Sequence, residues 1–368
     1  VTIVSSFAEY DIVFKPNNII KKVYIELTND CNLACEMCYR NSWHGTIGEM
    51  NEQLFNTLVN QIATNIDVEE VILGGLGEPM YHAKFWEFLK LLNDRLPNIP
   101  IALTTNGILL TSEIVKKLAQ LGVKKVIVSV DGVDQETQTE VRGEKSEIVV
   151  NKLLALGEAF RENTEILWWW EFVWQKKNKN QLYNLVDLAN KCNVKKIIIS
   201  HLLPTSPQQV NEVLYEPMLE ADLQKSLDKA RNLALLHGLE IALPKSEINT
   251  ERKCRFVNNH SAVVSYQGKV APCYRFLHGC KEYNQHREKD IMPYDFGQIS
   301  SENELIDIWN KPQYLKFRYR VINNLFPSCH DCDLFDGCDI TVTSEVDCDG
   351  GVPSCGHCLW ARGFIHCP

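Results

Sequence analysis

From Lys22 to Ser200 the chain repeats one arrangement: short apolar runs of strand character separated, in four of the five intervals, by segments of helical period. The runs are Lys22–Leu27, Val71–Leu73, Ile101–Thr105, Lys125–Val130, Glu165–Val173 and Lys195–Ser200. The helical segments are Asn51–Ile66, with Leu54, Leu58 and Ile62 at four-residue steps, then Phe85–Leu96, Ser112–Leu121 and Gln181–Cys192. Strands that alternate with helices pair in parallel through right-handed crossovers. The expected fold is therefore α/β, a partial, six-stranded TIM-type barrel. In such sheets ligands collect at the carboxyl ends of the strands. Every notable loop falls there: the cysteine loop after the first run, Gly74-Gly75, Thr105-Asn106-Gly107, and Ser129 through Gly132. Within Trp168-Trp169-Trp170, period-two alternation sends the middle ring to the face opposite its neighbours, and core packing is the expected role.

Cysteine placement divides the chain a second way. Of 14 cysteines, three lie between positions 31 and 38, Cys192 stands alone, and ten fall from Cys254 to Cys367. From about residue 245 the apolar period weakens, and the tail Asp347–Pro368 has few core residues, the character of a segment ordered by metal. The expected organisation is an extension over 1–21, a barrel over 22–245 and a Cys-rich auxiliary cluster domain over 246–368. Val1–Tyr10 lacks the basic, then apolar, pattern of a secretory signal, so a reducing cytoplasm is expected, where clustered thiols bind metal more often than they cross-link. A disulfide network is the alternative. No apolar run approaches the roughly 18–20 residues that span a bilayer. A net charge of −9 and a pI near 5.6 argue against nucleic-acid and membrane partners. The pairs Lys124-Lys125, Lys176-Lys177 and Lys195-Lys196 read as solvated ends of elements.

The first cysteine group, Cys31, Cys35 and Cys38, is a C-x3-C-x2-C pattern. Three thiolates fit three irons of a 4Fe-4S cubane and leave the fourth open to a non-protein ligand. A zinc site would want a fourth ligand, for which His44 is the near candidate. Set after the first strand of such a sheet, this loop resembles that of the radical S-adenosylmethionine (SAM) enzymes, and the resemblance covers about Lys22 to Glu240. It implies that the open iron binds the methionine moiety of SAM, and that one electron then yields a 5′-deoxyadenosyl radical, with Cys31, Cys35 and Cys38 as the catalytic cluster ligands. It further implies that Gly75, Gly77 and Glu78, in Gly74–Pro79, meet the cofactor's ammonium; the alternative is a glycine turn after a strand. Ser129 and Asp131 resemble ribose-contacting positions, with Thr105 and Asn106 lining the same pocket. Arg142 resembles the arginine that pairs with the methionine carboxylate, a surface ion pair being the alternative. Met37 stands where the family often has an aromatic residue, and its thioether is suited to packing on adenine.

In the C-terminal field, Cys254 and Cys273 form C-x13-G-x4-C, and Cys329, Cys332 and Cys338 form C-x2-C-x5-C. Both pieces resemble the SPASM extension of radical SAM enzymes, which implies two auxiliary 4Fe-4S clusters. The extension's next cysteine would fall at Val342. On this resemblance Cys254 and Cys273 belong to the nearer cluster, Cys329, Cys332 and Cys338 to the farther, and Cys348, Cys355 and Cys358 supply the remainder. Cys280 and Cys367 are replacements or free thiols, and Cys192 is a core residue. A zinc ribbon joining the two C-x2-C knuckles is the competing reading.

The whole chain, most of all its tail from Cys355, looks like the cofactor-modifying maturases that accompany tungsten-containing aldehyde ferredoxin oxidoreductases. That implies a tungsten oxidoreductase or its pterin cofactor as target, and an electron donor such as ferredoxin or flavodoxin. A maturase of a ribosomally made peptide or protein side chain is the alternative within this chemistry. A non-catalytic iron–sulfur electron carrier is the alternative outside it.

Overall fold

The computed structural model describes residues 3–7, 10–43, 45–143, 150–215, 219–285 and 287–366. His44 and Cys367 lie outside them. An antiparallel hairpin, β1 (Ile3–Phe7) and β2 (Tyr10–Phe14), precedes the main sheet. The six expected strands follow as β3 (Lys22–Ile25), β4 (Glu70–Leu73), β5 (Ile101–Thr105), β6 (Val123–Ser129), β7 (Leu167–Trp174) and β8 (Lys196–His201), all parallel and adjacent in chain order. The sheet continues past both edges. β9 (Glu240–Ala242) pairs with β8, and β10 (Ser261–Val264) pairs in parallel with β3 and antiparallel with β11 (Val270–Ala271). The expected barrel is thus part of a nine-stranded sheet, and β10 and β11 carry it across residue 245.

Helices α1 (Glu52–Asn65), α2 (Phe85–Arg95), α3 (Ser112–Gln120), α4 (Gln135–Arg142), α5 (Val150–Glu162), α6 (Leu182–Lys191) and α7 (Ala221–Leu236) fill the crossovers. Three begin at side-chain caps: Asn51, Thr111 and Asp134 accept the amides of Leu54, Ile114 and Thr137, satisfying donors that a first helical turn leaves open. Strand alternation sorts the sheet into two faces. Val23, Ile25, Val71, Leu73, Ile101, Leu103, Val126 and Val128 pack with the helices in the main core. Tyr24, Ile72 and Ala102 point the other way and meet Phe256, Val263, Ala271 and Leu277. The inner face is therefore closed by the C-terminal part, which adds α8 (Arg255–Asn258), the hairpin β12 (Cys280–Asn284) and β13 (Arg287–Ile291), α9 (Leu305–Trp309) and α10 (Pro312–Ile322).

Trp168 and Trp170 are buried in the core, and Trp169 takes the opposite face as expected. The lysines around it correct the solvated-end reading. Lys125 and Lys196 lie over the Trp169 ring, 4.5 and 4.8 Å from its centroid. They also pair with Glu70 and Glu240. Neighbouring strands supply these partners, so a ladder of cross-strand charge pairs runs along the amino ends of the sheet. Among the described residues no helix is long and apolar enough to cross a membrane.

Candidate functional site

At the carboxyl ends of the strands lies a cavity of about 260 Å3. The cysteine loop contributes Met37 and Tyr39, the glycine loop Gly75 and Leu76, and β5 Thr104. Ser129, Asp131, Glu171 and Ser200 line it from the remaining strands and Arg142 from the end of α4, and Trp360, Ile365 and His366 come from the C-terminal tail. The tail is anchored beside the cavity by Leu359 and Phe364, which pack with Tyr215 and Leu203. His366 N–H also donates to Ser200 Oγ at 2.9 Å.

Cys31, Cys35 and Cys38 are free and half-buried. Cys31 Sγ accepts from the Leu33 amide at 3.4 Å and Asn106 Nδ2 at 3.6 Å. Burial pushes the Cys35 thiol up to about 11 against the opposing pull of Arg142, and raises Cys38 as well. Positive iron would offset that cost and hold all three as thiolates. Among the described residues no three His, Cys, Asp or Glu side chains converge closely enough for a single ion.

The glycine loop is pressed against the base of the cysteine loop. A Cβ on Gly77 would stand 2.4 Å from the carbonyl oxygens of Thr28 and Asp30. Gly75 has φ +140, and a Cβ there would stand 2.8 Å from Glu26 Cγ. Only glycine lets the two loops approach this closely. The Glu78 amide donates to Asp30 O at 2.8 Å. Its carboxylate turns inward, accepting from Thr105 Oγ1 at 3.0 Å, from the Asn106 amide at 2.7 Å and from the Met80 amide at 3.1 Å. Burial holds that carboxyl up at about 7. Here the expected lining needs correcting. Thr104, not Thr105, faces the cavity, because adjacent strand residues point to opposite faces. Asn106 is spent on Cys31 and on Asn32 Oδ1, at 2.7 Å. Thr105 and Asn106 thus brace Glu78 and the cysteine loop.

Asp131 is fully buried. Its Oδ2 accepts from Arg142 Nε at 2.5 Å and its Oδ1 from the Val173 amide at 2.6 Å. Both oxygens are engaged, so Asp131 orients Arg142, and the arginine's ion pair is a buried one rather than a surface one. Ser129 and Met37 line the cavity.

Glu171 is a site residue that the sequence reading passed over. It lines the cavity, and burial with the nearby Asp131 charge pushes it up to about 7. The usable signal was parity: Glu171 shares the face of Trp169, two positions away, not that of the core rings. Also passed over were Tyr39, Arg275 and Glu282. Arg275 binds Glu282 through Nε at 2.9 Å and Nη2 at 2.8 Å, both residues 1% exposed, and Tyr39 Oη donates to Glu282 at 2.9 Å. This buried pair joins the cysteine loop to the C-terminal part.

The C-terminal thiols line two separate hollows. Cys254, Cys273, Cys355 and Cys358 surround the inner one, which shares Arg275 and Trp360 with the main cavity. Cys329, Cys332, Cys338 and Cys348 surround the outer one, where Cys332 and Cys348 are exposed. The two C-x2-C knuckles touch, since Cys329 N–H donates to Gly356 O at 3.2 Å, yet they line different hollows. That arrangement does not suit one zinc ribbon, whereas four thiols per hollow suit two cubanes. Cys348 occupies the place expected near Val342, which is exposed. Cys280 lies on β12, buried and outside both sets, and Cys192 is buried in the core.

Residues 25–168 match the model of the radical SAM superfamily, and residues 254–333 match that of the SPASM iron–sulfur cluster-binding domain. A Pyrococcus furiosus protein named tungsten-containing aldehyde ferredoxin oxidoreductase cofactor-modifying protein is 36% identical over 353 residues, 95% of this chain and 97% of its own length. An AdoMet-dependent heme synthase of Methanosarcina barkeri is 28% identical over 67% of this chain and 75% of its own. Among solved structures, Streptococcus suis SuiB bound to S-adenosylmethionine superposes with a TM-score of 0.59 at 17% identity, covering 88% of this chain and 73% of that one. That likeness is one of fold.

Proposed function

The chain belongs to the radical SAM superfamily and carries its SPASM extension, and from that premise we propose that it modifies the pterin cofactor of a tungsten oxidoreductase. It is a SAM-dependent maturase of 4Fe-4S type. The observation that carries the finer reading is the end-to-end likeness to the Pyrococcus furiosus cofactor-modifying protein, which takes in both cysteine regions. The cavity, of about 260 Å3 and lined in part by Trp360, Ile365 and His366, is of a size that suits a small-molecule target. The oxidoreductase would then be the protein that receives the finished cofactor, and a ferredoxin or flavodoxin the electron donor.

In this reading Cys31, Cys35 and Cys38 hold the SAM-binding cluster, the inner thiol set holds one auxiliary cluster and the outer set the other. Bound there, the first cluster supplies the electron that splits SAM into methionine and a 5′-deoxyadenosyl radical, which takes a hydrogen atom from substrate. The protein's part is positional. Arg142, aimed by Asp131, meets the methionine carboxylate. Ser129 meets the ribose, Met37 packs on the adenine, and the tail excludes water from the radical. The barrel (22–245) and the auxiliary part (246–368) act as one body, since β10 and β11 complete the sheet.

The test is anaerobic reconstitution, then reduction with dithionite in the presence of SAM and the pterin cofactor released from a tungsten oxidoreductase. Faster 5′-deoxyadenosine formation together with a mass change in the pterin is expected. Nucleoside formation indifferent to the pterin would overturn the substrate assignment.

A further inference from the structure

We propose that Lys289 is the counter-charge of the outer auxiliary cluster and makes that cluster the electron-accepting member of the pair; this rests on the two-cluster reading above. Lys289, on β13, is 2% exposed and lines the outer hollow together with Cys329, Cys332, Cys338 and Cys348. Lys289 forms no ion pair with a described residue: Glu282, which stands opposite it across the β12–β13 register, is taken by Arg275. A buried cation whose nearest carboxylate is committed elsewhere is costly, and an anion bound in the hollow would offset that cost. The other charged group of this hollow, Asp347, is already engaged: Arg320 reaches it at 3.0 Å, and the amides of Asp349 and Gly351 donate to it at 3.1 and 2.7 Å. That leaves Lys289 facing the four thiols.

The inner hollow differs in just this respect. Its cation is Arg275, and Glu282 neutralises it through two hydrogen bonds. A cubane with four thiolates is anionic, and one electron makes it more so. An uncompensated cation therefore favours the reduced state of the outer cluster, while the neutralised Arg275–Glu282 pair does so far less for the inner one. Local charge of this kind is a recognised determinant of cluster potential. The balanced step is the transfer of one electron: the inner cluster is oxidised by one and the outer reduced by one, with no proton moved. The outer set is also the one with thiols at the surface, Cys332 and Cys348. An external one-electron carrier protein can collect the electron there, the direction that serves net oxidation of substrate.

The test is potentiometric titration of the reconstituted holoenzyme followed by electron paramagnetic resonance, for the parent, Lys289→Met and Lys289→Arg. Lys289→Met is expected to lower the outer cluster's midpoint by at least the 59 mV that corresponds to a tenfold change for one electron. The inner midpoint should be unchanged, and Lys289→Arg should stay near the parent. Iron analysis separates the two levels of the argument. A parent chain without two auxiliary clusters would overturn the ligand assignment itself. Two full clusters whose potentials ignore Lys289→Met, or that shift together, would overturn the role of Lys289 alone.

Discussion

Two carboxylates at the mouth of the sheet show how one residue's partners decide its part. Asp131 has both oxygens engaged, by Arg142 and by the Val173 amide. Replacing it by Asn would keep an acceptor for that amide but leave the Arg142 guanidinium buried without its charge. Losing one partner of a buried pair costs about 3–5 kcal/mol. Asp131→Asn should therefore lower the melting temperature and weaken SAM binding at least tenfold, read by equilibrium binding under anaerobic conditions. Unchanged affinity would show that Arg142 needs no orienting partner. Burial outweighs the pull of Arg142 on both Glu171 and Glu78 and holds each at about 7, with the Asp131 charge adding to the rise at Glu171. Between the ordinary carboxylate range and pH 7 the folded chain keeps protons that the unfolded chain has released. Their contribution to stability thus falls as pH rises through that window and levels off above it. Glu171→Gln should flatten part of that slope and make the protein more stable at pH 8, by on the order of 1–2 kcal/mol. Melting curves at pH 5 and pH 8 compare the two; a slope identical to the parent's would sink the assignment.

Among elements, the contact between the glycine loop and the cysteine loop carries the most consequence. Gly77→Ala would drive a methyl into two backbone carbonyls that have no flexible side chain to yield, and overpacking of that kind costs about 1–3 kcal/mol. The loops should separate, so iron at Cys31, Cys35 and Cys38 is expected to fall and 5′-deoxyadenosine formation to drop at least tenfold, with auxiliary iron retained. Full first-cluster iron and normal turnover would show the contact to be incidental. The elements that make this contact were legible in the chain, because β3 to β8 are apolar runs that alternate with segments of helical period in four of the five crossovers. α4 escaped because its residues, Gln135–Arg142, are almost all polar and only the Asp134 cap marks its start. β9 and β11, of three and two residues, are too short for a period to show, and β10 lies beyond the last regular alternation of strand and helix. Lys125 and Lys196 read as solvated because Trp169, Glu70 and Glu240, which cover them, arrive from other strands. At the site, the motif residues could be found by spacing, but Thr104 against Thr105 is a matter of strand parity, and the Arg275–Glu282 pair depends on a hairpin that no local pattern announces.

Across the whole molecule the least legible feature is the partition of the eight auxiliary thiols. Cys329-x2-Cys332 and Cys355-x2-Cys358 look alike in sequence, yet one knuckle faces the outer hollow and the other the inner. The partition follows from the way the chain ends: the tail folds back over the sheet, so Cys355 and Cys358 meet Cys254 and Cys273 across about a hundred residues, while Cys348 stays with the knuckle just before it. Paired substitutions read this out. Cys348→Ala and Cys355→Ala should each cost one cluster, roughly four irons for a cubane. Joining Cys348→Ala to Cys332→Ala should cost no more than either alone, because both thiols serve one cluster. Joining it to Cys355→Ala should cost twice as much, because two clusters are then broken, the additivity expected of independent sites. The spectroscopic signature should follow the iron, with the signal of the cluster nearer the cavity vanishing only in variants of Cys254, Cys273, Cys355 or Cys358. Equal losses from the Cys332/Cys348 and Cys348/Cys355 pairs would mean that the two hollows are not two clusters, and the outward electron path built on them would have no starting point.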